Sequence, residues 1–166
     1  MPRSVRRVSL VSGVALCAIL VGPIAGAQAS DNAIKSTLNH YGPIICAQQN
    51  ASGVCIKGEE AAVTNGLKGY PASHKRLVRA LGHELGTLRA LKRALVGESA
   101  SSARGAKGRS DIIKGVTLII EAYAALRVDV QVANGGPVPA SKVNPIVSTD
   151  NRGRAKLRAG LRLLGG

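Results

Sequence analysis

Apolar residues recur along this chain at the three- and four-residue spacing of amphipathic helices. The clearest stretch covers residues 73–96, where leucines occupy one arc of a helical wheel and most cations occupy the other. The leucines are Leu77, Leu81, Leu85, Leu88, Leu91 and Leu95. This arrangement predicts a surface helix with one face on a core.

Four further segments are predicted to be helical, at residues 31–41, 59–67, 111–127 and 150–164. The first ends at Gly42-Pro43, because this pair disfavours helix continuation. The segment at 111–127 has the widest set of apolar positions, so it is expected to lie at the centre of the fold. Residues 97–109 are small, polar and basic without apolar periodicity, which predicts a mobile loop, and residues 137–145 are expected to be a linker.

Residues 128–132 alternate between apolar and polar side chains, so a short strand remains an alternative to helix there. The overall prediction is an all-α protein, a small bundle of about five helices with at most this one strand. Its length fits a single domain.

The N-terminal 29 residues have the three parts of a secretory signal. Arg3, Arg6 and Arg7 form a positive region, a short apolar run follows, and Ala27-Gln28-Ala29 offers a small-residue cleavage site. Cleavage after Ala29 leaves a domain over residues 30–166, which is expected to be secreted, periplasmic or located at the exterior of the cell envelope. A membrane anchor is the weaker alternative, because the apolar run is too short to span a bilayer. The arginine pair also leaves a twin-arginine route open beside the general secretory route.

Two cysteines lie outside the predicted signal, Cys46 and Cys55. An even cysteine count in an exported chain is typical of a disulfide, and the short intervening segment can turn back on itself. Two buried thiols are the alternative.

The formal net charge is +14, with 23 lysines and arginines against 9 acids. Such a charge favours anionic partners: an anionic polymer, an anionic membrane surface or an acidic protein. Sequence-specific nucleic-acid recognition is not expected, because only 2% of the residues are aromatic and base stacking needs aromatic platforms. A compositional bias toward arginine and alanine is the competing explanation for the charge.

The candidate binding residues lie on the polar faces of the two most basic predicted helices. They are Arg79, Arg89 and Arg93 in the first and Arg154 and Arg158 in the second. The alternative is that these faces are simply solvated while the opposite faces close the core.

No motif specifies a reaction or a cofactor. His83-Glu84 begins like a zinc-protease motif, but Thr87 stands where the second histidine would bind the metal, so no metal site is expected. We therefore expect a non-enzymatic exported protein whose basic surfaces contact anionic envelope material or an acidic partner. The alternative is a small exported enzyme with a site near His83 and Glu84.

Overall fold

The computed structural model describes residues 31–51 and 71–165, with the backbone alone for 49–51 and 71–73. Over these residues the chain forms four helices and no strand, which confirms the all-helical class. The helices are α1 (Asn32–Ala51), α2 (Pro71–Gly97), α3 (Ala103–Ala133) and α4 (Ala140–Leu163). The number of about five is not confirmed, because the helix predicted at 59–67 lies outside the described residues.

Helices that follow one another in the described chain are neighbours in space: α2 packs against α1 and α3, and α3 packs against α4. One apolar cluster joins all four. The predicted boundaries of α2 are correct to within two residues, and all six of its predicted core leucines are at most 2% exposed. A continuous apolar stripe with no internal proline left little competition for the helix there.

The helix α1 does not end at Gly42-Pro43 as predicted but continues to Ala51. The apolar stripe explains the continuation: Ile45 is fully buried and extends the face formed by Ile34 and Leu38. A proline inside a helix costs roughly 3 kcal/mol, and burying one large aliphatic side chain returns roughly 1.5–3 kcal/mol. Tertiary packing therefore offsets the local preference at Pro43.

The helix α3 begins at Ala103, so the prediction of a mobile loop over residues 97–109 is wrong for its second half. Ser102 caps the helix, because its hydroxyl oxygen accepts a 2.8 Å hydrogen bond from the Gly105 backbone N–H. The Asp31 carboxylate accepts hydrogen bonds from the hydroxyls of Ser101 and Ser102, at 3.5 and 3.2 Å. The chain entering α1 is thus fastened to the start of α3.

The alternative of a strand at residues 128–132 is also wrong, since α3 runs to Ala133 and ends at Asn134 in the left-handed conformation, with φ of 44°. Val130 is buried while Val128 and Val132 are 57% and 78% exposed. The alternation in sequence is real, but it falls on the end of a helix.

The helix α4 begins at Ala140, ten residues earlier than predicted, and contains Pro145. Residues 137–145 are therefore a linker only as far as Pro139. Val143 and Ile146 pack against the core from this first part of the helix. Their contacts again favour helix where proline alone argues against it.

Glycines bring α3 and α4 into backbone contact. A Cβ built on Gly115 would lie 2.7 Å from the carbonyl oxygen of Gly153, and one on Gly160 would lie 2.6 Å from that of Gly108. Real Cβ atoms do not approach other atoms so closely, so any side chain at these positions would push the helices apart. The two glycines of each helix are seven residues apart, a spacing that keeps them on one face.

A large aliphatic residue follows each of these glycines by four positions and lies beside the glycine of the facing helix. The pairs are Ile112 with Gly160, Ile119 with Gly153, Leu157 with Gly115, and Leu164 with Gly108. The same twelve-residue pattern, glycine and aliphatic residue twice at a seven-residue interval, therefore occurs at 108–119 and at 153–164. Residues related by 45 positions occupy equivalent places in the antiparallel pair.

Candidate anion-binding surface

Acidic and basic side chains are divided unequally between the interior and the surface. Asp31, Glu84 and Asp111 are buried, and among the acids in residues 31–51 and 71–165 only Glu121 falls in the exposed class. The exposed cations are Lys75, Arg76, Arg79, Arg89, Arg93, Arg104, Lys107, Lys114, Arg127, Lys142, Arg152, Lys156, Arg158 and Arg162. The surface potential of this part of the chain is therefore more positive than its net charge alone implies.

The three candidate residues of α2, Arg79, Arg89 and Arg93, are all exposed. Arg89 and Arg93 are four residues apart, so they share one helix face. Arg79 donates a long hydrogen bond of 3.4 Å from Nε to the backbone oxygen of Lys75. These guanidinium groups keep donors available to an anion in solution.

A shallow groove with a volume of about 500 Å³ lies beside Arg79. It is lined by His74, Lys75, Val78, Arg79 and Gln131, which brings α2 and the end of α3 together. His74 is only 7% exposed, and its Nδ1 has no hydrogen-bond partner among the described residues. The groove therefore offers a ligand the exposed side chains of Lys75, Arg79 and Gln131, with His74 in its wall.

The two candidate residues of α4 differ in position. Arg158 is exposed, but Arg154 is 1% exposed, so the expectation that Arg154 lies on a solvated basic face is wrong. The pattern of α4 placed Arg154 beside other cations, but the close packing of α3 turns its face inward. Arg154 donates a 2.5 Å hydrogen bond from Nε to Oδ2 of Asp150, one turn earlier.

The buried guanidinium stays charged. Burial lowers the pKa of Arg154, but the electrostatic interactions and hydrogen bonds with Tyr123 and Asp150 outweigh this effect and hold the pKa above its usual range. Tyr123 comes from α3 and is 6% exposed, so the cluster joins the two helices inside the fold. The Arg154 side chain therefore contacts residues of the interior and is not accessible to a partner in solution.

The two residues of the alternative catalytic site differ in exposure. His83 is exposed, whereas Glu84 is 6% exposed. Adjacent residues on a helix point about 100° apart, which accounts for this difference in exposure. In the part of the chain that the structure describes, no three His, Cys, Asp or Glu side chains gather as metal ligands would.

Several predictions fall on residues outside the described ranges. Cys46 lies half-buried on α1, but Cys55 is outside, so the proposed disulfide stays a prediction. The predicted signal at residues 1–29 is likewise outside. Among the described helices, none has a segment of the length and apolarity that a membrane crossing requires.

Sequence reasoning missed three exposed cations on α3: Arg104, Lys107 and Lys114. The first two fall in the segment predicted to be a loop. The seven-residue interval between Gly108 and Gly115, repeated in α4, was the signal that would have extended the predicted helix back to Gly108, next to Lys107.

Comparison with known proteins gives no relative from which a role can be transferred. The chain matches no protein-family model, no curated protein and no solved structure.

Proposed function

We propose that this chain is an exported, non-enzymatic helical protein whose basic surfaces contact anionic envelope material or an acidic partner. The export half of the proposal is supported by the charged, apolar and small-residue parts of the first 29 residues. The binding half is supported by one observation above all: most of the described cations are exposed, whereas the described carboxylates, apart from Glu121, are wholly or partly withdrawn from solvent.

The separation of exposed cations from withdrawn carboxylates favours a functional origin of the positive net charge over a purely compositional one. A compositional bias accounts for how many arginines a chain contains, but it does not decide which acids are buried. The Asp31 carboxylate accepts a hydrogen bond from Ser102 at the start of α3, and the Asp150 carboxylate accepts one from Arg154. Because these carboxylates are held internally, they do not form ion pairs with the exposed cations of α2, and those cations remain available to an outside anion.

Recognition is by charge and not by a base sequence. The described tyrosines, Tyr41 and Tyr123, are half-buried and buried, so they offer little aromatic surface for base stacking. Charge-based binding weakens steeply as salt rises, because added ions screen the interaction and reduce the gain from counterion release.

The test of the binding half is retention of the purified protein on immobilised polyanion across a salt series. We expect retention at low salt that falls steeply as the salt concentration rises toward about 0.5 M, because the screening length is already near 10 Å at 0.1 M and shortens further. Absence of retention at low salt would mean that the charge is compositional, and the binding half would fail.

The export half has a separate test. Intact mass of the protein recovered outside the cytoplasm is expected to correspond to a chain beginning at Ser30. Recovery of the chain in the membrane fraction with Met1 or Pro2 at its N-terminus would contradict cleavage and support the anchor instead.

A further inference from the structure

One carboxylate lies between lysines of two different helices. Asp111 on α3 forms ion pairs with Lys107, one turn earlier, at 3.6 Å, and with Lys156 of α4 at 3.8 Å. The two lysine side chains are 70% and 53% exposed, whereas that of Asp111 is 10% exposed. The contacts establish that Lys107 and Lys156 lie on the same solvent-facing side of the α3–α4 pair.

Helical spacing extends this side in both directions. Lys114 follows Asp111 by three residues and Arg152 precedes Lys156 by four, so both share the face. Arg104 crosses the seam at one end, where its Nη2 donates a 3.4 Å hydrogen bond to the backbone oxygen of Arg162. We call the resulting surface the outer face. It consists of Arg104, Lys107, Lys114, Arg152 and Lys156, all exposed.

The glycine contacts determine how dense this charge is. The axes of ordinary packed helices lie roughly 8–10 Å apart, depending on the side chains between them. Here Gly108 and Gly115 meet Gly160 and Gly153 with no side chain between, so the two rows of cations are brought closer than usual. Along the axis, Arg104 and Lys114 are separated by about 15 Å at 1.5 Å per residue. The outer face is therefore a narrow, elongated strip.

We propose that the outer face binds an extended polyanion, a chain with repeated oxyanion groups such as phosphates, laid along the seam between α3 and α4. This inference rests on the proposed function and narrows it to one surface and one class of partner. Five cations on two adjoining rows match a linear series of negative groups, and long lysine and arginine side chains follow a flexible chain without a fixed register.

A membrane surface fits the outer face less well. Interfacial helices insert large apolar side chains beside their cations. The exposed large apolar residues of the described chain are Ile44, Val96, Val128 and Val132. Of these, Val128 and Val132 follow Lys114 on α3, but at least about 21 Å further along and beyond the carboxylate of Glu121. The strip itself carries charge without an apolar anchor.

The Asp111 carboxylate lowers the affinity of the outer face for a polyanion. It attracts the ammonium groups of Lys107 and Lys156, and it repels any anion that approaches them. Both ion pairs are long and both lysine side chains are largely exposed, so each ammonium group can contact a second anion while it stays beside Asp111. Removal of the Asp111 charge is therefore expected to strengthen binding.

The first experiment compares two variants with the same change in net charge. Lys107→Gln/Lys114→Gln removes two cations from the outer face, and Arg89→Gln/Arg93→Gln removes two exposed cations from α2. Binding of long-chain polyphosphate to the purified protein is measured over a salt series. The outer-face variant is expected to lower the magnitude of the log–log salt slope by about 1 per cation removed, and the α2 variant to change it far less. Equal losses, or a larger loss from the α2 variant, would overturn the inference while the proposed function stands.

The second experiment looks for a gain. Asp111→Asn and Asn39→Lys each raise the net charge by one, the first within the outer face and the second at an exposed position of α1. Only Asp111→Asn is expected to tighten polyphosphate binding by several-fold, with thermal unfolding showing that both variants are folded. Equal gains from both variants would overturn the inference. So would binding of anionic phosphatidylglycerol vesicles or of an acidic protein when polyphosphate does not bind. Failure of the wild type to bind any of these would instead overturn the proposed function.

Discussion

Gly115 of α3 and Gly153 of α4 meet backbone to backbone. A Cβ on the first would lie 2.7 Å from the carbonyl oxygen of the second, and a Cβ on the second would lie 2.8 Å from that of the first. The contact is reciprocal because the two helices carry the same glycine pattern in opposite directions. The position of α4, and with it the outer face and the buried Arg154, depends on this contact.

Gly115→Ala and Gly153→Ala are each expected to destabilise the protein by about 1–3 kcal/mol, because the added methyl group meets backbone that cannot move aside without separating the helices. Alanine is the better helix former by about 1 kcal/mol, so a net loss would already mean that the collision outweighs this gain. Urea unfolding followed by circular dichroism measures the difference.

The control is Gly86→Ala on α2. A Cβ there meets nothing within 4 Å, and the position is exposed in the middle of a helix. It is expected to stabilise the protein by roughly 0.5–1 kcal/mol through helix propensity alone. Similar signs for Gly86→Ala and Gly115→Ala would show that the helices are not in the close contact described.

The sequence carries a strong signal for α2 and weaker ones for the helix ends. Six leucines on one face of an uninterrupted helix leave no competing interpretation, and the structure confirms it. The local rules predict a helix end at Pro43 and a linker up to Pro145, yet Ile45 on α1 and Ile146 on α4 lie within or against the core. Burial outweighs local preference there, and burial depends on elements distant in sequence.

The candidate surface shows a related limitation. Arg154 lies three and seven residues before leucines of the apolar stripe of α4, so its spacing indicates a position near the core. Its charge nevertheless predicted an exposed side chain, like that of Arg158. The close approach of α3 buries Arg154 against Tyr123 and leaves Arg158 exposed. Arg104 and Lys107 were missed for the opposite reason, because small residues near them predicted a loop where small residues in fact permit helix contact.

The contact between Asp31, which precedes α1, and Gly105 of α3 can be tested with a second substitution that should relieve the effect of the first. The carboxylate of Asp31 occupies the space where a Cβ on Gly105 would lie. Gly105→Ala is therefore expected to destabilise the wild type by about 1–3 kcal/mol. It should cost much less in an Asp31→Ala background, where the space is free. A double-mutant cycle by urea unfolding measures the coupling. Additive effects would contradict the contact.

The predicted Cys46–Cys55 disulfide is tested by thiol titration of the unfolded, unreduced protein recovered after export. No reaction is expected, and reduction is expected to lower stability by roughly 2–3 kcal/mol, as a loop of this length does in the chain-entropy model. Matched Cys46→Ser and Cys46→Ser/Cys55→Ser variants should be equally stable, since either breaks the bridge. Two titratable thiols in the untreated protein would defeat the prediction.

Arg154 provides a test that separates structure from binding. Arg154→Met removes the cation from a nearly buried pair and leaves the Asp150 carboxylate, 14% exposed, without it. Breaking one side of such a pair costs about 3–5 kcal/mol, because the remaining charge is uncompensated. Arg154→Met/Asp150→Asn is expected to recover part of this loss, since no lone charge is then buried. Urea unfolding at neutral pH measures both.

The same residue gives a prediction for pH. The pKa of Arg154 is raised by its interactions with Tyr123 and Asp150 despite burial, so its charged form is favoured in the folded state. For a basic group with a raised pKa, the added stability is complete below the unfolded pKa and is lost only as the pH rises through the folded pKa. Both values lie far above neutrality, so the destabilisation by Arg154→Met is expected to be the same at pH 7 and pH 9.

The Arg154→Met variant also separates folding from binding. Its polyphosphate binding, corrected for the folded fraction, should equal that of the wild type because Arg154 is 1% exposed. Weaker binding by the folded variant would show that the interior pair shapes the outer face, whereas unchanged stability would contradict the buried pair itself.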